Sequence, residues 1–287
     1  MKVLVTGATG QLGYDVLKEL KKRSIDAVGI GSKDCDITIQ KAVFQMIESI
    51  MPNVIIHCAG YTAVDKAEDE VDKCNLINVE GTRNLVLACN KYDITLLYIS
   101  TDYVFSGDGI DPWQAEALRN PVSQYGKSKY QGEVAVEELL DKYFIVRVSW
   151  LYGINGKNFV KSMLKLAAET KNSIKVVSDQ IGSPTYTIDV AKILVDMIQT
   201  NKYGKYNVSN EGFCSWYEFA QEIFKSTSKT IEIIPITSEE YGAMAKRPFN
   251  SRMDSSKLVE NGFESLPEWK NALKRFLKEY NGKQPLI

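Results

Sequence analysis

Three glycines spaced three apart, Gly7, Gly10 and Gly13 in "TGATGQLG", stand between the apolar run "KVLVTG" and a helical pattern, "QLGYDVLKELKKR", that begins at Gln11. Glycine permits a tight turn and lets a charged group approach the main chain. The helix that follows points unpaired N–H groups and the positive end of its dipole at that spot, which suits a pyrophosphate. A plain glycine-rich strand-to-helix turn would use the same residues. Because this one lies after a strand and before a helix at the head of a βαβ pattern, dinucleotide binding is the expectation.

The rest of the N-terminal half agrees. "NVIIHCAG" from Asn53, "TLLYIST" from Thr95 and "YFIVRVSWLY" from Tyr143 are near-continuous apolar runs, with a weaker one, "DAVGIG", from Asp26. Such runs fit strands buried on both faces of a parallel sheet. Helical patterns such as "VEGTRNLVLACNKY" lie between them, and strand alternating with helix predicts a doubly wound, parallel, Rossmann-like α/β sheet. After Trp150 the long apolar runs give way to helices ("NFVKSMLKLAAET", "SWYEFAQEIFKST"), short strands ("IKVVSD", "KYNVSN") and a loop, "PITSEEYGAMAKRPFN". The expected division is a dinucleotide-binding domain over 1–150, with later segments returning to it, and a smaller α/β domain, mainly for substrate, over 151–287.

Composition narrows the partners. The chain of 287 residues carries 35 basic and 36 acidic residues, interspersed, for a net charge of −1, so neither nucleic acid nor an anionic membrane is an expected partner. The first apolar run is too short for a signal sequence, no run reaches membrane-spanning length, and the five cysteines have no CxxC spacing. A cytoplasmic protein with reduced thiols is expected. With His57 as the single histidine, a His-based triad or multi-histidine metal site within one chain is disfavoured, so acid–base chemistry falls to other groups.

Two further stretches supply those groups. In "YGKSK", Tyr125 and Lys129 share a helix face at a spacing of four. A phenol beside an ammonium has its phenolate favoured, as a general acid toward a carbonyl oxygen requires. In "STDYVFSG", Thr101 and Asp102 end a central strand, where open parallel sheets bind ligands, and the Thr101 hydroxyl can bond the same substrate oxygen. The second strand ends in Gly29, Gly31, Ser32 and Lys33, where a ribose-binding carboxylate would be expected, which slightly favours NADPH over NADH. His57 and Cys58 read as core residues.

Together these stretches resemble the extended short-chain dehydrogenase/reductase family, marked by a GxxGxxG turn, a Ser or Thr after the central strand, and Tyr-x-x-x-Lys. "HCAGYTAVDKAE", "NPVSQYGKSKYQGE", "RVSWLYG", "SDQIGSPT" and "RPFNSRMD" extend the resemblance over nearly the whole chain, to its nucleotide-sugar reductases. The resemblance implies reduction of the C4 ketone of dTDP-4-dehydro-L-rhamnose to dTDP-L-rhamnose, a cell-surface polysaccharide precursor, by NADPH or NADH. It makes Thr101, Tyr125 and Lys129 catalytic. It assigns cofactor binding to Gly7, Gly10, Gln11, Leu12, Gly13, Asp36, Ile37, Ala59, Gly60, Thr62, Tyr125 and Lys129. Substrate binding falls on Thr101, Asp102, Tyr103, Trp150, Arg247 and Asn250, with Asn78 supporting the site and Asp179 and Gln180 beside the substrate. A homodimer is compatible with the family. Some relatives use Mg²⁺ bridging glutamates at a dimer interface. Tyr14 and Asp15 lie near the first turn here in place of a glutamate, so no metal is carried over. A 4,6-dehydratase needs an Asp-Glu pair after the threonine, whereas Asp102 precedes Tyr103. Reduction of another 4-keto-6-deoxy sugar nucleotide, or a silent NADP-binding regulatory subunit, are the competing readings.

Overall fold

Along the first strand the side chains alternate between two cores: Val3 and Val5 join one cluster, Leu4 the other, and all three are fully buried. Period-2 alternation with apolar residues on both faces requires cover on both sides. The computed structural model describes residues 1–169, 173–227 and 230–283. It places six parallel strands in one sheet: β1 (Lys2–Thr6), β2 (Asp26–Ile30), β3 (Val54–His57), β4 (Thr95–Thr101), β5 (Tyr143–Val148) and β6 (Gly204–Asn207), in the order β6-β5-β4-β3-β1-β2. Registers such as Thr6↔His57 and Thr101↔Val148 bring the C-terminal ends level along one edge.

On one face, α1 (Gln11–Lys22) packs beside a later helix, with Leu12, Val16 and Leu20 meeting Val190 and Leu194. The other face is covered by α2 (Gln40–Ile50), α3 (Gly81–Tyr92) and α4 (Gln124–Leu139), through Val43, Ile47, Leu85, Val86 and Val136. The first crossover leaves β1 toward β2, and the next strand, β3, pairs on the opposite side of β1. That reversal is the switch point at which doubly wound sheets hold ligands.

The C-terminal part adds α5 (Phe159–Glu169), α6 (Thr187–Met197), α7 (Trp216–Ser226) and α8 (Trp269–Lys283), with short strand pairs such as Ile174–Val177 with Ile233–Ile236. A third core of aromatic residues, among them Tyr152, Phe219 and Phe276, lies within it. The chain does return to the sheet after Trp150: α6 covers α1, and β6 extends the sheet beside β5. Thr187 donates to the buried Asp15 carboxylate at 2.5 Å, tying α6 to α1. Among the described residues no helix is long and apolar enough to cross a membrane.

Candidate active site

The level strand ends open into a cleft of about 1010 Å³. At one end lies the glycine turn. Gly7 has φ +67°, and a Cβ there would stand 2.6 Å from the Ala59 nitrogen; at Gly13 it would stand 2.3 Å from the Gly7 carbonyl. The turn is therefore pressed against the β3 exit and α1 against the turn, an approach only glycine allows. No acid occupies the first turn of α1, so its free N–H groups meet no competing anion. This cradle, with Gly7, Gly10, Gln11, Leu12, Ala59, Gly60 and Thr62 all lining the cleft, fits the phosphates and ribose of a dinucleotide.

Farther along, Ser32, Asp36 and Ile37 line the side below β2. The expectation of an acid-free β2 end needs a correction. Asp34 folds back, and its carboxylate accepts a hydrogen bond from the Gly31 N–H at 2.8 Å, which the linear spacing does not reveal. Lys33 is exposed and does not line the cleft.

The opposite end holds the catalytic candidates. Thr101, 5% exposed at the end of β4, donates to Asp102 Oδ1 at 3.0 Å and accepts from the Tyr103 N–H at 3.3 Å. Ser123 caps α4 by accepting from the Gly126 N–H at 3.1 Å. Gly126 matters because a Cβ there would stand 2.3 Å from the Tyr103 carbonyl, so glycine lets α4 lie on the turn after β4. Tyr125 thereby stands beside the Thr101 hydroxyl, with the Tyr103 ring edge-on at 5.6 Å. One helical turn on, Lys129 enters the cleft wall near Gly60.

A π-helical turn, Leu76–Glu80, precedes α3 and carries Asn78. Such turns put an extra residue into a helix and often mark sites. Asn78 Oδ1 accepts from the Tyr61 N–H at 2.7 Å, while its Nδ2 donates to the Tyr61 carbonyl at 3.0 Å and Ser128 Oγ at 2.9 Å. Ser128 in turn donates to the Tyr125 carbonyl at 2.7 Å. One amide thus joins the β3 exit loop to the helix turn bearing Tyr125 and Lys129.

Burial sets the electrostatics. It raises the Tyr125 phenol well above its usual range, with the Thr101 hydroxyl opposing, so the phenol is protonated at neutrality. The expected lowering by Lys129 does not prevail, because desolvation dominates. Burial also lowers Lys129 to about 7, against the pull of Glu133, Cys58 and Cys74. Asp102 is raised to about 6 by burial, opposed by the Ser251 and Thr101 hydroxyls. Buried His57, lowered to about 3 by burial and then by Lys129, bonds Thr6 and Thr82 at 2.7 and 3.1 Å, as a core residue would. Cys58, read as core, instead lines the cleft because it sits just past the end of β3.

Of the residues expected to meet substrate, Thr101, Asp102, Tyr103 and Trp150 line the cleft. Trp150 adopts a left-handed φ of +47° and stacks on Trp216 with centroids 3.6 Å apart, while Gly182 leaves room beneath it. A bulky residue in that backbone region is strained and needs its surroundings to hold it. Arg247 and Asn250 do not line the cleft. Arg247 pairs with Asp65 at 2.6 Å, and Asn250 Nδ2 donates to the Asp111 carbonyl at 2.8 Å, holding the loop after β4. Asp179 accepts from the Ser238 N–H at 2.8 Å, and Gln180 accepts from Trp216 Nε1 at 3.2 Å, so this pair braces the wall behind Trp150.

Comparison with known proteins bears on this arrangement. The family model for the RmlD substrate binding domain matches residues 1–281. A dTDP-4-dehydrorhamnose reductase of Aggregatibacter actinomycetemcomitans is 39% identical, over 95% of this chain and 97% of its own. The chain belongs to the dTDP-4-dehydrorhamnose reductase family. A Bacillus subtilis (strain 168) relative named spore coat polysaccharide biosynthesis protein SpsK is 40% identical over 97% of each chain. The crystal structure of the dTDP-4-dehydrorhamnose reductase from Bacillus anthracis str. Ames, in complex with NADP, superposes with a TM-score of 0.94 at 46% identity, covering 97% of this chain and 99% of that one.

For a member of the dTDP-4-dehydrorhamnose reductase family, the sequence pattern also leaves cleft residues unmarked. Gly156 and Lys157 line it from the loop after β5, bringing a cation to the glycine turn. Asn155 Nδ2 donates to the Thr9 carbonyl at 2.7 Å, and Gln11 Oε1 accepts from the Gly153 N–H at 3.1 Å and Asn158 Nδ2 at 2.9 Å. The one local signal is the "GINGKN" loop itself. Glu133 and Arg147, both buried, pair at 2.8 Å behind Lys129; their separation in sequence conceals the contact.

Proposed function

We propose that the protein reduces the C4 ketone of dTDP-4-dehydro-L-rhamnose to dTDP-L-rhamnose with NADPH or NADH. The observation that carries this reading is the juxtaposition of Thr101, Tyr125 and Lys129 in one wall of a cleft whose other end is the glycine cradle. A bound reduced nicotinamide would supply the hydride. Tyr125, protonated and buried, donates its proton to the ketone oxygen as negative charge develops there. Thr101 donates a hydrogen bond to that oxygen, exchanging its present bond to Asp102. Lys129, as the ammonium, would hold the nicotinamide ribose of a bound cofactor and favours the phenolate left on Tyr125. Trp150 and Tyr103, which line the cleft, would wall the sugar side, and Gly10, Gln11 and Leu12 would hold the pyrophosphate at the α1 N-terminus. Both NADPH and NADH are to be tested as reductant, because Lys33, whose charge would favour a 2′-phosphate, stands outside the cleft lining and the Asp34 carboxylate beside Gly31 opposes one.

The test is a spectrophotometric assay with dTDP-4-dehydrorhamnose and each of NADPH and NADH, with the product's C4 configuration read by NMR. Ketosugar-dependent oxidation giving the rhamnose configuration is expected. Oxidation giving the other C4 epimer would assign the chain to a different 4-keto-6-deoxy sugar. No oxidation with either cofactor would leave a silent nucleotide-binding subunit.

A further inference from the structure

Lys129 does not stand over the cleft unsupported. Its Nζ lies over the Tyr98 ring, 4.0 Å from the centroid, and Tyr98 is fully buried in β4. The ring is fixed from several directions. Its hydroxyl donates to the Lys129 carbonyl at 3.3 Å, and the His57 ring lies against it at 5.6 Å. At Gly132, one turn beyond Lys129, a Cβ would stand 2.2 Å from the Tyr98 hydroxyl, so α4 is able to close on this ring only with glycine there. We infer that Tyr98 is a positioning residue that acts through Lys129: its ring face holds the ammonium at the cleft wall and stabilises its charge, while its hydroxyl fixes the helix turn that bears it. An ammonium removed from water loses its hydration, and the negative face of an aromatic ring is a partner that restores part of that stabilisation without neutralising the charge.

The other groups facing Lys129 do not duplicate this. Glu133, one turn along α4, is engaged by Arg147 through both carboxylate oxygens and by Arg119 at 2.9 Å. Cys58 is held as a neutral thiol by burial, which raises it to about 12, and burial raises Cys74 as well. His57 is neutral in its bonds to Thr6 and Thr82, and Tyr125 is protonated. Glu133 still favours the ammonium through its charge; the Tyr98 ring, 4.0 Å from Nζ, is the uncharged contact that does so without itself titrating near neutrality.

This inference rests on Lys129 acting in the reduction, and the experiment separates the two. Phenylalanine and its 4-fluoro, 3,5-difluoro and pentafluoro analogues are placed at position 98, a nearly isosteric series that drains the ring face of negative charge, and kcat/KM is followed against pH. The expected result is that Tyr98→Phe keeps the alkaline limb near the wild-type position. Each added set of fluorines should then move the limb to lower pH, by about one unit across the series, because the ammonium is lost earlier. Melting temperatures show that each variant is folded; a purely structural ring would change them and leave the limb in place. A limb that stays fixed across the folded series, with Lys129→Met inactive, overturns the inference alone. Lys129→Met retaining wild-type turnover overturns the catalytic reading of Lys129 itself.

Discussion

At the scale of single residues, the site is a set of titratable groups held out of water. Asp102 shows the cost. Its carboxyl titrates near 3.9 in an unfolded chain and is raised to about 6 in the fold. A raised carboxyl binds its proton more tightly folded than unfolded, so stability is greatest below the unfolded value and declines as pH rises toward about 6, for a loss of about 3 kcal/mol above it. Asp102→Asn removes that loss. Thermal unfolding should show the variant more stable than wild type at pH 8, by about 5 °C, with the gap closing by pH 4. A variant less stable at pH 8 than at pH 4, relative to wild type, would mean that the carboxylate is stabilised by its surroundings. Turnover should fall, because the Thr101 hydroxyl and the Tyr103 backbone both bond this side chain.

At the scale of elements, the turn between β1 and α1 carries the tightest contacts. Gly13→Ala would place a methyl 2.3 Å from the Gly7 carbonyl, and backbone on both sides must move. The expected outcome is a folded protein whose affinity for NADPH, measured by fluorescence titration, falls at least about tenfold, as a 1.4 kcal/mol loss of cradle geometry would give. Unchanged affinity would show that α1 does not position the phosphates. The same element shows what a sequence can disclose. Glycine spacing, apolar strands and the Tyr125–Lys129 interval are local patterns, so the doubly wound sheet and the placing of Thr101, Tyr125 and Lys129 on one cleft were legible directly. Arg247 lies in a loop and Asn250 begins a two-residue strand, and no local pattern says whether such a polar side chain faces the cleft or ties one segment to another. Lys157, Tyr98 and the Glu133–Arg147 pair depend on contacts between distant segments, which periodicity does not encode. Asp34 shows the same limit at short range: its carboxylate reaches back three residues through a turn whose shape is not written in the residue types.

At the scale of the whole molecule, the division near Trp150 is a change of texture more than a boundary. The later chain supplies α6 and β6 to the sheet, and its Asn155 and Asn158 fasten the glycine turn, so both lobes build one cleft. Its far wall is Trp150 on Trp216, braced by Gln180, and the wall that carries the proposed chemistry is lined by Thr101, Tyr125 and Lys129. The central claim is that proton donation in this cleft belongs to Tyr125. Single-turnover reduction of dTDP-4-dehydrorhamnose by NADPH, comparing wild type with Tyr125→Phe at neutral pH, measures it directly. The account predicts a rate lower by about 10²–10⁴ with cofactor affinity within a few-fold of wild type, the span assigned to a positioned general acid. A Phe variant that reduces the ketone at the wild-type rate would contradict it.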